Sequence, residues 1–283
     1  MGLKGFICPQ LKAAVPFHRC FNECKKTCHP LPTLLALANT RPTEKGVYHV
    51  TEIINPYKVT CLQRYHDYYR SPESLIYVTF GRAFHSIIEE TMPKVEALGL
   101  EKEFLFEHTN SFKVKIDTKY GSAFLSGTPD LIIPSAFQIW DYKTGKYFYE
   151  VQKLLEGRFE ESKHPTQLNI YRAYAFPEAK ELYLEMMIKD YSGRVRALGV
   201  KPIEIIQIPI IPVDRIEAYV HERIENLLMY EKYPEKVPDC TPEETWNGIR
   251  CKDYCDGSEF CVQGQLLGSE HEIKKTRKAR TKK

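Results

Sequence analysis

The stretch GTPDLIIPSAFQIWDYKTGK, residues 127–146, alternates apolar and polar positions on either side of a turn at Pro134 and Ser135, the pattern of a half-buried β-hairpin. Into that pattern it sets Asp130, Asp141 and Lys143. Side chains two apart on a strand share a face, so Phe137, Ile139, Asp141 and Lys143 are expected to project together, with Trp140 and Tyr142 opposite. Pairing LSGTPDLII with FQIWDYK brings Asp130 near Asp141. Two carboxylates drawn out of water repel each other and lose hydration, a cost that needs a cation to offset it. Lys143 supplies one charge, and a hard divalent ion such as Mg²⁺, which takes carboxylate oxygens and retains several waters, would supply the rest. Taken alone, D-x-K fits an ordinary ion-paired hairpin equally well.

The surrounding chain has the means to bury such a hairpin. Its 283 residues, 43% hydrophobic, suffice for one large domain or two small ones. TFGRAFHSIIEETMPKVEAL has helical spacing, and EFLFEH and SFKVKID have strand spacing. KYFYEVQKLLEGRFEES and HPTQLNIYRAYAF follow as amphipathic helices, the second with Pro165 in its first turn, where a missing N–H costs little. ELYLEMMIKD and PIEIIQIPIIP read as strands joined through YSGR, and VDRIEAYVHERIENLLMYEKY as a long helix. Interleaved strands and helices predict an α/β fold, a mixed sheet with helices packed on it.

Charge and hydropathy narrow the setting. The last ten residues, KKTRKARTKK, hold seven of the 40 Lys and Arg, which leaves 33 cations against 37 carboxylates in the slightly acidic body. Residues 263–283 are expected to be a basic, disordered tail, and nucleic-acid affinity must come from that tail and from local patches. No run of about 18 apolar residues is present, so no membrane-spanning helix is expected. The opening MGLKGFICPQ lacks a secretory apolar segment, and Phe6 breaks the myristoylation pattern. A cytoplasmic location is expected, where thiols stay reduced and nine cysteines need an explanation other than disulfides.

Two further pairs accompany the hairpin. Gly81 and His85 are four apart on a helix, with Gly81 expected to permit a close backbone approach; Gln167 and Tyr171 have the same spacing. In order, the chain reads G-x-x-x-H, G-x-x-D, D-x-K and Q-x-x-x-Y, which resembles the RecB-type branch of the PD-(D/E)xK nucleases, including CRISPR adaptation nucleases and the AddB helicase-nuclease subunit, over roughly residues 55–262. The resemblance implies a restriction-endonuclease-like mixed sheet and a metal-dependent DNA exonuclease, with endonuclease activity as an addition. By the same resemblance His85, Asp130, Asp141 and the carbonyl of Tyr142 would hold Mg²⁺ or Mn²⁺, Lys143 would orient or deprotonate the attacking water, and Gln167 and Tyr171 would position DNA or the lysine. A metal lowers the pKa of bound water and neutralises transition-state charge, and it pushes a neighbouring lysine toward the neutral form a base needs. DNA is the implied partner, and a helicase or DNA-integration protein a candidate one.

Members of that branch often carry an iron–sulfur cluster on one cysteine ahead of the core and three after it. Cys61, Cys251, Cys255 and Cys261 match that arrangement, so a [4Fe-4S] cluster would clasp ligands about 190 residues apart. The spacing here is C-x₃-C-x₅-C where the family has C-x₂-C-x₅-C, and Cys240 is a substitute ligand; zinc in a Cys₄ site is the competing reading. Cys8, Cys20, Cys24 and Cys28, with His18 and His29 as replacements, form a second set suited to zinc or another cluster in a Cys-rich arm spanning residues 1–54. Tyr57, Arg64, Tyr65, Tyr68, Tyr69 and Arg70, then Lys146, Tyr147, Phe148 and Tyr149, mix aromatics with cations as single-stranded or frayed DNA ends require. The rival class is a non-catalytic nucleic-acid-binding protein organised by cysteine-bound metals, and the motifs admit RNA as well.

Overall fold

The structure, a computed structural model, describes residues 2–25, 28–39 and 43–267. In chain order its strands are β1 (Leu3–Cys8), β2 (Ala13–Pro16), β3 (Val47–His49), β4 (Tyr68–Arg70), β5 (Leu105–Phe106), β6 (Phe112–Thr118), β7 (Gly121–Gly127), β8 (Leu131–Ile133), β9 (Gln138–Gly145), β10 (Glu181–Ile188) and β11 (Ile203–Ile208). They fall into two compact units, one holding Gly46–Ile54 and Phe80–Asn226, the other the described residues up to Lys45, Asn55–Thr79 and those from Leu227 onward.

The first of these units is built on a mixed five-stranded sheet in the order β11-β10-β9-β8-β5. Here β10 pairs parallel with β9 and antiparallel with β11, while β8 pairs antiparallel with β9 and β5. Strict alternation in ELYLEMMI buries Leu182, Leu184, Met186 and Ile188 on one face, as a period of two demands. The helix His164–Tyr174 starts with Pro165 in its first turn, as expected. Buried Asn169 places that helix: its amide donates to the carbonyls of Pro165 and Pro209, and its Oδ1 accepts from the N–H of Ile211.

Several local expectations are corrected. LSGTPDLII is not one strand, because β7 pairs with β6 and β3 in a separate three-stranded sheet and only β8 reaches β9. Pro129 has no N–H for a ladder, and Gly127 is packed so tightly that an added Cβ would lie 2.7 Å from the Phe112 ring and from Val50, so the chain switches sheets between them. Phe137 does not share the Asp141 face. It follows the 3₁₀ turn Pro134–Ala136 in a left-handed conformation, φ 56°, outside β9.

The expected strand EFLFEH shrinks to β5, with Glu107 opening the 3₁₀ turn Glu107–Thr109. The expected helix from Tyr147 begins as a π-turn, Tyr147–Val151, and continues through Gln152–Leu155. It ends at Gly157, whose positive φ of 76° stops an α-helix. The helix around His85 begins earlier, at Pro72, and stops at Glu89; Met92–Ala97 is a separate helix with Pro93 in its first turn.

The second unit centres on the sheet β2-β1-β4, in which β1 is antiparallel to β2 and parallel to β4. Leu3, Phe6, Leu34, Leu37 and Leu75 form its core, and Phe6 packs edge-on against Phe17 and Phe21 at 5.0 and 6.2 Å. Residues 262–267 are helical, and the greater part of the basic tail, 268–283, lies outside the described residues.

Candidate active site

Asp141 lies at the middle of β9, opposite Leu184 of β10, and is fully buried. Its Oδ2 lies 2.6 Å from Lys143 Nζ, so the two residues do share a face as the strand period requires. Asp130 sits just ahead of β8, where its Oδ2 accepts from the backbone N–H of Tyr142 at 2.7 Å. The antiparallel pairing of Leu131 with Trp140 brings these positions together. On the opposite face Tyr142 packs in an apolar cluster with Phe84, Phe106 and Leu131, which anchors the strand beneath the charges.

The lysine is the centre of the arrangement. Lys143 Nζ lies 2.6 Å from Asp141 Oδ2, 3.2 Å from the carbonyl oxygen of Tyr142, to which it donates, and 3.8 Å from Asp130 Oδ2. Those are the three oxygens expected to hold a divalent ion, and a hard cation takes this kind of oxygen set. The fourth expected ligand is close too: His85 Nδ1 is 3.4 Å from Asp130 Oδ1.

Glu107, which the sequence reading missed, completes a second grouping. Its Oε2 is 4.0 Å from His85 Nδ1, and ligand atoms of His85, Glu107 and Asp130 all lie within 4.8 Å of one another. Its position at the end of a two-residue strand hid it in EFLFEH, where it reads as an ordinary edge charge. Asp141 is not part of that trio and is joined to it through Lys143. Gln167 and Tyr171 are both buried and meet as their spacing predicts: Gln167 Nε2 donates to Tyr171 Oη at 2.8 Å and lies 3.4 Å from Asp141 Oδ1. His164, three residues ahead of Gln167, also escaped the sequence reading, although i, i+3 spacing marks it. Its Nε2 is 3.6 Å from Glu150 Oε1, which accepts from Ser162 Oγ at 2.6 Å.

Electrostatics separate the two aspartates. Burial opposes ionisation of Asp130, yet Lys143, His85 and the Tyr142 N–H outweigh it and hold the carboxyl below its ordinary range. Asp141 goes the other way: burial pushes it up to about 7, with the Asp130 charge adding to the rise and Lys143 only partly opposing it. A single ammonium therefore does not suffice to keep both ionised. For Lys143 itself, burial favours the neutral amine but Asp141 and Asp130 prevail and keep it protonated. The expectation of a neutral lysine thus requires a second cation. His85 is likewise raised, the Asp130 carboxylate outweighing burial, while burial together with Lys143 and Lys163 holds His164 well below the usual imidazole range.

One motif position departs from its expected role. A Cβ on Gly81 would meet only Thr144 Oγ1, at 3.8 Å, so no close approach requires glycine there. The tight glycine is Gly127, of G-x-x-D.

In the other unit, Cys61 and Cys251 are buried on the helices Tyr57–Tyr65 and Ile249–Asp253, and Cys261 is buried just after the turn Ser258–Phe260. The segment bearing Cys255 and Cys261 packs on the Cys61 helix. Gly257 lies so near Leu62 that a Cβ would meet its side chain at 2.6 Å, and Gln63 donates to Asp256 at 2.7 Å. Cys240 joins them through Gln263, and burial pushes its thiol up to about 12, with Glu244 adding to the rise and Cys255 and Cys261 contributing less. Cys20 and Cys28 pack against the core of β1, and burial raises both thiols, with further contributions from Cys8. Among the described residues, no three sulfurs gather within 4.8 Å, whereas Zn–S bonds of about 2.3 Å place sulfurs about 3.8 Å apart. Of the cations near Cys61, Arg64 donates to the Glu44 carbonyl and Arg70 pairs with Asp256 at 3.0 Å, so both have structural partners.

Comparison with known proteins shows the family and the fold. The family model of the PD-(D/E)XK nuclease superfamily matches residues 82–262, well over half the chain, and the chain belongs to that superfamily. The crystal structure of SSO0001 is similar in fold, with a TM-score of 0.50 and 15% identity over 81% of this chain and 94% of that one. Weaker similarity extends to an alkaline exonuclease from Laribacter hongkongensis (TM-score 0.36, 11% identity, 68% of this chain and 92% of that one). A phage-related exonuclease from Haemophilus somnus 129PT shows a comparable level (TM-score 0.35, 12% identity, 83% and 97%). No curated protein matches the sequence. No helix among the described residues is long and apolar enough to cross a membrane.

Proposed function

We propose that the protein is a metal-dependent DNA nuclease that hydrolyses phosphodiester bonds, acting as an exonuclease on single-stranded or frayed ends with endonuclease activity in addition. The observation that carries this reading is the convergence of Lys143 Nζ on Asp141, the Tyr142 carbonyl and Asp130, with His85 beside them. Those oxygens and the His85 ring would hold Mg²⁺ or Mn²⁺, with Glu107 as an added carboxylate. The ion, when bound, lowers the pKa of its water and neutralises charge on the phosphate.

The protein groups then act as follows. Ionised Asp130, held by the Tyr142 N–H, and Asp141 supply fixed negative charge. Lys143, released from those carboxylates, orients the attacking water and takes its proton, for which a neutral amine is needed. Gln167, tied to Tyr171 and close to Asp141 Oδ1, keeps the carboxylate aimed. Labelled single-stranded DNA should be shortened by the metal-reconstituted protein in Mg²⁺ or Mn²⁺, and not in chelator. Equal degradation by Lys143→Ala would refute the assignment, and binding without cleavage in any divalent metal would mark a non-catalytic binding protein.

In the same reading, on the family resemblance, Cys61, Cys251, Cys255 and Cys261 hold a [4Fe-4S] cluster with Cys240 as the substitute ligand, and zinc in a Cys₄ site is the competing occupant. Cys8, Cys20, Cys24 and Cys28 bind zinc, which would have to draw its ligands together. Iron and zinc analysis of anaerobically purified protein, with an absorbance spectrum, tests both. The protein works in the cytoplasm, with a helicase or DNA-integration protein as its partner.

A further inference from the structure

We infer that the π-turn Tyr147–Val151, with the neighbouring helical turn Gly193–Arg196, forms a stacking surface for single-stranded nucleic acid, its rings supplied by Phe148 and Tyr149 and its cations by Lys146 and Arg194. The inference rests on the nuclease reading and adds where on this unit the strand lies.

Both rings are exposed, Phe148 by 41% and Tyr149 by 66%, and they directly follow the strand that bears Asp141 and Lys143. Apolar rings left facing water beside a candidate active site call for a ligand, and aromatic faces take any base because every base has a π-face. The rings are held rather than loose. Tyr147 is buried, donates its N–H to Asp190 Oδ1 at 2.8 Å and meets Phe148 edge-on at 4.9 Å. A π-turn is a rare geometry that recurs at functional sites, and here it turns two consecutive aromatics outward.

The charges fit a phosphate backbone. The Arg194 guanidinium lies 5.1 Å from the centre of the Phe148 ring and Lys146 Nζ 6.0 Å from that of Tyr149. Lys189 adds a third cation: burial lowers its pKa and the nearby Lys146 charge lowers it further, with Asp190 acting in the other direction. The one acid within the turn, Glu150, is directed away to Ser162 and His164, so it does not offset this charge. A duplex keeps its bases stacked on one another, whereas a single strand offers free faces, and that selects the single strand as the occupant.

The test uses the full chain with its cysteine-bound metals in place. Anisotropy of a fluorescent oligothymidine and of a blunt duplex of equal length, with no added Mg²⁺ or Mn²⁺ so that cleavage does not occur, compares the wild type with Phe148→Ala/Tyr149→Ala. Oligothymidine affinity is expected to fall at least about tenfold, as loss of stacking on two bases implies, with duplex affinity changed less than about twofold. In Mn²⁺ the KM for the oligonucleotide rises while kcat holds, and Phe148→Trp/Tyr149→Trp restores it. Unchanged oligothymidine binding, as expected if the rings seat a protein instead, overturns the inference, and so does an equal loss on duplex. If the wild type cleaves and the double variant binds normally, only the surface fails. If nothing cleaves but the selective binding loss appears, the nuclease reading fails and the surface stands.

Discussion

The two units handle clustered ionisable groups in opposite ways. Around β9, backbone and side chains hold each charge in place, Asp130 on the Tyr142 N–H and Asp141 against Lys143, with the neutral pair Gln167 and Tyr171 beside them. In the cysteine-bearing unit the thiols are brought near one another by packing, yet among the described residues no three sulfurs lie within 4.8 Å. The acidic site is thus organised before a metal arrives, with an ammonium in the cation's place. The cysteine sites would be organised by their metals. A scaffold that needs a metal for catalysis must offer a defined geometry to each incoming substrate, whereas a structural metal can shape its own site as the chain folds.

The largest expected effect follows from that contrast. Replacing Cys251 by Ser should cost the cysteine-bearing unit stability on the order of 10 kcal/mol if a metal organises it, enough to open that unit to protease while the β5–β11 sheet stays resistant. Limited proteolysis read by mass spectrometry checks this, and an unchanged digestion pattern would break the comparison. Next in size, Lys143→Ala should lower single-turnover cleavage about 10²–10⁴-fold, the usual contribution of a positioned base, measured at saturating DNA.

A third prediction concerns pH in metal-free protein. Asp141 has a folded pKa of about 7, above its unfolded value of 3.8, so its contribution is fully present below about pH 4 and is lost as pH rises to 7. His85, also raised, gives a loss of the same sign as pH climbs above 6.5. Melting temperature in EDTA should therefore fall above pH 6.5, while between pH 5 and 6.5 buried His164, whose pKa is held well down, adds an opposing rise that offsets the loss from Asp141. Mn²⁺ should flatten that slope, and Asp141→Asn should reduce it; a slope unaltered by both would show that neither site charge is responsible. The smallest effects come from the motif glycines. Gly127→Ala, forced against Phe112 and Val50, should destabilise by about 1–3 kcal/mol, while Gly81→Ala, in an open helical position, should stabilise by about 0.5–1 kcal/mol in denaturant melts.

Much of the candidate site was legible because its pairs are local. Asp141 with Lys143, and Gln167 with Tyr171, follow from strand and helix periods, and the structure joins both. The hairpin was half right: β8 and β9 pair, but β7 belongs to another sheet, since nothing in the alternation of LSGTPDLII announces that Gly127 is needed under Phe112. Glu107 and His164 were passed over because their partners lie on other elements. The metal-free charge state of Lys143 was not legible for a related reason: only the depth of burial and the two carboxylates around it show that the amine is protonated while no other cation is present.

The amino-acid order by itself determined which chemical groups this chain owns, their spacing along each element and hence which of them share a face, because helix and strand periods are properties of the local backbone. Tertiary structure decided which groups meet across elements, bringing Glu107 to His85 and Asp130 and aiming one ammonium at three oxygens. Those meetings depend on sheet register and on packing between segments far apart in the chain, and burial then sets the charge on each group. No local pattern carries that information.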